Sequence, residues 1–148
     1  MAQIRLKQEE IELLLTALKT SLINSIAFPI QGKCVDFMVK SITDGELFSI
    51  HIYRGKVNPQ KYNMCALIQK YNVPILELHI GPGNKHINPD GTIISGNHWH
   101  IYSETYGRAQ AFPADDIYND QFVSNTITFL DKFNVIDKPN VYFQLEML

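Results

Sequence analysis

Along this chain the spacing of apolar residues changes several times, and each change marks the start of a new element. Ile11, Leu14, Leu15, Leu18 and Leu22 recur at helical spacing behind Glu9, Glu10 and Glu12, carboxylates that suit the positive end of a helix dipole. The pattern predicts a first helix over about residues 8–25. Leu13 and Ile23 fall on its other side, so this helix should lie in a groove and not on the surface. Pro29 and Gly32 end it. From Lys33 the period drops to two: Val35, Phe37 and Val39 alternate with Cys34, Asp36, Met38 and Lys40, and Asp44-Gly45 turns this strand into a second one. There Phe48, Ile50 and Ile52 form one face, and Ser49, His51 and Tyr53 the other. Asn58-Pro59 has the form of an N-cap followed by a first-turn proline, which predicts a short helix over 59–71 with Tyr62, Cys65 and Ile68 inward.

A third strand places Leu76, Leu78 and Ile80 opposite Glu77 and His79. In a fourth, His98, His100, Tyr102 and Glu104 alternate with Trp99, Ile101, Ser103 and Thr105. Gly81 to Gly96 reads as a long loop containing an Asp90-Gly91 turn. Asp115 or Asp116 would cap a C-terminal helix whose stripe is Phe122, Val123, Thr126, Ile127, Leu130 and Phe133, and Val141, Phe143, Leu145 and Met147 alternate as a last strand. With no repeat or linker, the expectation is one α+β domain over residues 1–148: an N-terminal helix, an antiparallel meander of about four strands, a C-terminal helix and a final strand.

Composition narrows the function classes. Thirteen Lys+Arg against 15 Asp+Glu give a formal net charge of −2, and 45% hydrophobic with 19% charged residues is ordinary globular usage. Bulk charge provides no pull toward phosphate backbones or anionic lipid, so contact with nucleic acid requires a local patch. Cys34 and Cys65 sit among apolar neighbours, and the N-terminal segment is charged and amphipathic, which predicts a reduced, cytoplasmic protein. Apolar runs are far shorter than the ~20 residues of a membrane span, so no membrane is expected. The open edges of a small meander make a homodimer reasonable.

Alternation also gathers chemistry. It places His51, Tyr53, Glu77, His79, His98, His100, Tyr102 and Glu104 on one shared face, and His79, His86, His98 and His100 are four of the five histidines. Three readings follow. His98 and His100, with His79 from a neighbouring strand, could hold zinc or another divalent metal. The H-x-H-x3-E spacing is that of a first cupin motif, but no histidine follows His100 to supply the second motif. Without a metal, His98 and His100 could act as a general acid/base pair on a phosphodiester, with Lys40, Arg54, Lys85 or Arg108 neutralising the phosphate and Tyr102 or Tyr106 donating to it. The third reading is a solvated sheet face whose polar residues only pair across strands. Gly81-Pro82-Gly83-Asn84-Lys85 lacks the spacing of a phosphate-cradling loop, and Trp99, opposite the histidines, reads as a packing residue.

The stretch His86-Ile87-Asn88-Pro89-Asp90-Gly91, then Gly96-Asn97-His98-Trp99-His100-Ile101-Tyr102-Ser103-Glu104, then Gly107 and Ala111-Phe112-Pro113, resembles an uncharacterised family of small bacterial and phage-type proteins. Its signature is H-x-N-P-D-G followed by G-x-H-x-H-x-Y-x-E. The likeness runs from about Phe28 to Pro113 and leaves both helical ends unmatched. This chain departs from it at Thr105-Tyr106-Gly107-Arg108 and Gln110, where the family carries an acid and a tryptophan. The resemblance implies one constellation of His86, Asn88, Asp90, His98, His100, Tyr102 and Glu104. The leading expectation for this face is a small cytoplasmic protein of a mobile-element or defence setting that acts on RNA, a nucleotide or another phosphodiester. In that scheme His98 and His100 are acid and base, Glu104 orients one of them, Tyr102, His86 and Asp90 complete the site, and Arg108, Lys85 and Asn88 bind substrate. A metal-dependent version using His79, His98 and His100 stays open. So do a non-catalytic inhibitor or binding module that docks this face on a protein target, and a protein that only binds metal.

Overall fold

A computed structural model describes residues 5–144. Its elements are α1 (Gln8–Thr16), β1 (Lys19–Ser21), β2 (Ser25–Phe28), β3 (Cys34–Ser41), β4 (Leu47–Arg54), β5 (Tyr62–Ile68), β6 (Val73–Ile80), β7 (Lys85–Ile87), β8 (Ile93–Ser95), β9 (His98–Ile101), β10 (Ala111–Pro113), α2 (Phe122–Lys132), β11 (Val135–Asp137) and β12 (Asn140–Phe143). Eight strands form one mixed sheet in the order β10-β9-β6-β5-β4-β3-β1-β11. It is antiparallel throughout except for the parallel pair β1–β11. β12 pairs parallel with β2, and β7 with β8 as a hairpin, each outside the main sheet. The described residues are therefore mostly β, which corrects the expected α+β arrangement of helices around a four-stranded meander.

The corrections trace to particular pairings and contacts. The first helix stops at Thr16 instead of continuing to about residue 25, because Lys19–Ser21 pair with Val39–Ser41 of β3 and Lys19 also pairs with Val135 of β11. Pairing across the fold overrides the apolar spacing there. Leu13 is 70% exposed, so the helix does not lie in a two-sided groove; Ile11 is its buried residue. Residues 59–71 hold β5 and no helix. Tyr62, Met64, Ala66 and Ile68 are buried at period two between β4 and β6, while Asn58 closes a turn by accepting the Gln60 N–H (3.0 Å). The supposed loop 81–96 contains the β7–β8 hairpin.

Downstream of β9 the fourth strand ends at Ile101, short of Glu104. α2 begins at Phe122, well beyond Asp115 and Asp116, without a side-chain cap. Its buried residues are Asn125, Thr126, Phe129 and Leu130, and Ile127 is turned outward. Of the predicted last strand, Val141 and Phe143 belong to β12, while Leu145 and Met147 lie outside the described residues.

The core lies on one side of the sheet, where Phe48, Ile50, Ile52, Met64 and Leu78 pack with Ile11 of α1 and with Phe129, Leu130 and Phe133 at α2. Trp99 belongs to this side and stacks on Phe129, with ring centroids 6.2 Å apart and planes 10° apart. Arg54 is buried there too, its guanidinium 4.6 Å from the Phe122 ring centre, so it is unavailable to a phosphate on the opposite face. Both helices thus cover the Ile50–Leu78 face and leave the histidine face free of them. No helix among the described residues is long and apolar enough to cross a membrane.

Candidate functional site

Strand register builds the histidine face in two rows. Asp36, His51, Cys65, Glu77 and His100 stand opposite one another in turn across β3, β4, β5, β6 and β9; Cys34, Tyr53, Asn63, His79 and His98 form the adjacent row. The β9 end of both rows is roofed. Asn88 clamps the β7–β8 hairpin to β10, donating from Nδ2 to the Ala111 carbonyl (3.0 Å) and accepting the Ala111 N–H at Oδ1 (2.8 Å). Asp90 closes the hairpin turn by accepting the Thr92 N–H (2.9 Å). Gly81, beside His79, has φ +155°, and a Cβ there would fall 2.5 Å from Lys61 Cγ, so the approach of these two segments requires glycine.

Four imidazoles meet under this roof. Ring centroids lie 5.1 Å apart for His79 and His98, 4.7 Å for His79 and His100, 5.0 Å for His98 and His100, and 4.7 Å for His86 and His100. One ring nitrogen from each of His79, His98 and His100 lies within 4.8 Å of the others. Three rings are locked to backbone carbonyls: His98 Nδ1 on Gly96 (2.9 Å), His100 Nδ1 on Arg108 (2.7 Å) and His86 Nε2 on Ala109 (2.7 Å). A carbonyl only accepts, so each of these nitrogens carries the proton, and in the neutral ring the other nitrogen keeps its lone pair. His98 and His100 are 3% and 7% exposed. Burial lowers the pKa of both, with the neighbouring histidines adding to it, and His100 falls to about 4. His98 and His100 are therefore held neutral near pH 7.

The carboxylate beside it is Glu77. Burial would raise its pKa, yet hydrogen bonds from His79 and Arg108 outweigh that and hold it at about 2. Arg108 grips it as a fork, Nε to Oε2 at 2.8 Å and Nη2 to Oε1 at 2.6 Å, and His79 Nε2 lies 3.5 Å from Oε1. Glu77 has the same strand parity as His79, which is the signal that marks it in the sequence. Glu104 lies elsewhere: it accepts the Gln8 N–H (2.8 Å) and donates its own N–H to Gln8 Oε1 (3.0 Å), tying its turn to the start of α1. It does not orient a histidine. Asn88 and Asp90 shape the roof, and Arg108 is engaged with Glu77.

Two clefts of about 760 Å³ each share His79 and His100. One is bounded by Tyr71, Tyr102, Tyr106 and the Glu77–Arg108 pair; the other by Tyr53, Lys56, Lys61 and Lys85, together with His86 and His98. At the unroofed end of the rows, Cys34, Asp36 and His51 form a second, exposed group of metal-ligating types, in which His51 Nδ1 is bonded to Asp36 Oδ1.

Fold and site together define a mostly-β protein whose single large sheet carries a helix-covered apolar face and a histidine-clustered polar one. The chain belongs to a protein family of unknown function, DUF6978, whose profile matches residues 6–135. No curated protein and no solved structure shows significant similarity to it.

Proposed function

We propose that this protein is a divalent-metal-dependent hydrolase of phosphodiesters, with the ion, zinc by its donor set, held by His79, His98 and His100. The supporting observation is the convergence of three imidazole nitrogens within 4.8 Å, two of the rings being fixed through Nδ1 to backbone carbonyls. Zinc sites commonly show this arrangement, in which the distal hydrogen bond fixes tautomer and ring orientation. At Zn–N distances of about 2.0–2.1 Å tetrahedral ligand atoms lie roughly 3.4 Å apart, so binding requires the nitrogens to close by no more than about 1.4 Å.

Neutral, buried rings favour this reading over the metal-free acid/base pair, which needs one protonated histidine near pH 7. Held by these three residues, a zinc ion would have room for a water, whose pKa it would lower to about 7. Bound there, the metal would supply an activated water for attack on phosphorus, with the bond to the departing oxygen breaking and that oxygen taking its proton from solvent. His86, whose ring packs on His100 and whose Nε2–H is held by the Ala109 carbonyl, would pack against that ligand from outside. We place the protein, with the bacterial and phage-type family it resembles, in a bacterial cytoplasm, where Cys34 and Cys65 stay free.

The test is metal content together with hydrolysis of bis(p-nitrophenyl) phosphate. Chelator-treated protein titrated with zinc should bind one equivalent at this site and gain hydrolysis. His98→Ala/His100→Ala should lose both while Cys34→Ser keeps both. Wild type that takes up no zinc, or a double variant that still hydrolyses the ester, would overturn the assignment.

A further inference from the structure

The three lysines of the second cleft come from separate parts of the chain: Lys56 from the segment after β4, Lys61 from just before β5, and Lys85 from β7. Among the described residues no carboxylate lines that cleft, although the whole protein carries a net charge of −2. Tyr53 stands among these lysines on the histidine face, with its ring exposed. The first cleft, across His79 and His100, presents the exposed rings of Tyr71 and Tyr106, and its one carboxylate, Glu77, is neutralised by Arg108.

We infer that the two clefts form one track for a single-stranded nucleic acid, crossing the sheet face with its phosphates on Lys56, Lys61 and Lys85 and its bases stacked on Tyr53 at one end and on Tyr71 or Tyr106 at the other. This deepens the proposal above by naming its substrate class, and it rests on that reading only for what happens where the track crosses the histidines. Cations that follow a backbone, interleaved with aromatic faces that accept any base, are what sequence-tolerant binding of single strands uses. A duplex hides its base faces, so it cannot use the tyrosines. Local lysines on an acidic protein also place the charge where a strand lies and nowhere else.

The track is tested by fluorescence anisotropy on chelator-treated protein, using 5′-labelled twelve-nucleotide RNA and DNA single strands and the RNA annealed to its complement. Single strands should bind, as RNA, DNA or both, and the duplex at least tenfold more weakly. Replacing Lys56, Lys61 and Lys85 together with Gln should weaken binding at least tenfold and reduce the slope of log affinity against log salt by about two, three neutralised phosphate contacts at about 0.7 each. Tyr53→Ala should weaken binding several-fold and leave that slope unchanged. A circular dichroism spectrum and melting curve like wild type's show that each variant is folded, and Tyr53→Phe, which keeps the ring, should restore affinity. Failure of wild type to bind any single strand, equal binding of the duplex, or an unchanged slope in the folded triple variant would each overturn the track. Because metal is absent from these measurements, they stand whether or not zinc is found to bind.

Discussion

Ile50 and His51 are neighbours on β4 and face opposite sides of the sheet, and their surroundings have little in common. Ile50 is fully buried among the side chains under α1 and α2. His51 faces the open side, and its hydrogen-bonded partner Asp36 has a side chain 58% exposed. Along the helix-covered face the strands are held by closely packed aromatic and branched residues, whereas along the polar face they are held by hydrogen bonds wherever a roof exists and by little where it does not. The first face sets how stable the sheet is. The second sets where imidazoles, lysines and tyrosines stand, with positions fixed by strands that the first face has already ordered.

The largest effect should come from the packed side. Phe48 is fully buried and meets Phe133 edge-on at 5.1 Å, so Phe48→Ala removes a ring that α2's end closes over. It should cost about 3–5 kcal/mol, read as a fall in the urea midpoint at unchanged slope. A loss near that of a surface change would mean that the helices do not clamp this face, and the contrast between faces would break.

Lys19 sharpens the comparison because it is a charge placed on the packed side. It is fully buried and donates to the carbonyls of Leu15 (3.3 Å), Ala17 (2.8 Å) and Phe133 (2.8 Å), joining the ends of α1 and α2, and its ammonium lies 3.9 Å from the Phe133 ring centre. Burial lowers its pKa to about 7. Between pH 7 and 10.5 the unfolded chain therefore binds a proton that the folded one gives up, so this group makes stability rise with pH, by at most about 1.4 kcal/mol per unit. From pH 9 upward Cys65 acts in the other direction: burial first, then Glu77, raises its thiol to about 12, so the unfolded chain loses that proton earlier. Urea midpoints between pH 7.5 and 9 should rise in wild type and lose that rise in Lys19→Met. The variant should also be about 1–3 kcal/mol less stable at pH 7, because the Ala17 and Phe133 carbonyls lose their donor while Leu15's keeps Asn134 Nδ2. A slope that persists in the variant would assign it to another group.

How much of this was legible in the sequence follows from the same division. Side-chain parity along a strand is local, so His79, His98 and His100 are found on one face from spacing alone, and Glu77 carries the same signal. What spacing misses depends on distant partners. The β1–β11 and β1–β3 pairings that end α1 join segments far apart in the chain, and nothing near Lys19 announces them. In β5 a helical spacing of Tyr62, Cys65 and Ile68 coexists with a two-residue period of Tyr62, Met64, Ala66 and Ile68, and only the strands on either side decide between the two. The same limit explains Glu104. Its parity continues that of His98 and His100, but β9 ends at Ile101, and the turn that follows carries the carboxylate to α1.

The smallest effect should come from the unroofed end of the polar face. Asp36 and His51 pair across β3 and β4 with water on both, and an exposed pair gains little because solvent screens it and two side chains must be ordered to make it. Asp36→Asn keeps size and a hydrogen-bond acceptor while removing the charge, so it should shift stability by less than about 0.5 kcal/mol, close to the resolution of a denaturant midpoint. It should also leave zinc uptake at His79, His98 and His100 unchanged, since β5 separates the two groups. A cost above about 1 kcal/mol would show that the open face helps to hold the sheet together. In that case the histidine cluster could not be treated as a site laid over a scaffold stabilised from the other side. It would have to be counted among the contacts that fold the protein, and losses of function in its variants would need to be separated from losses of structure residue by residue.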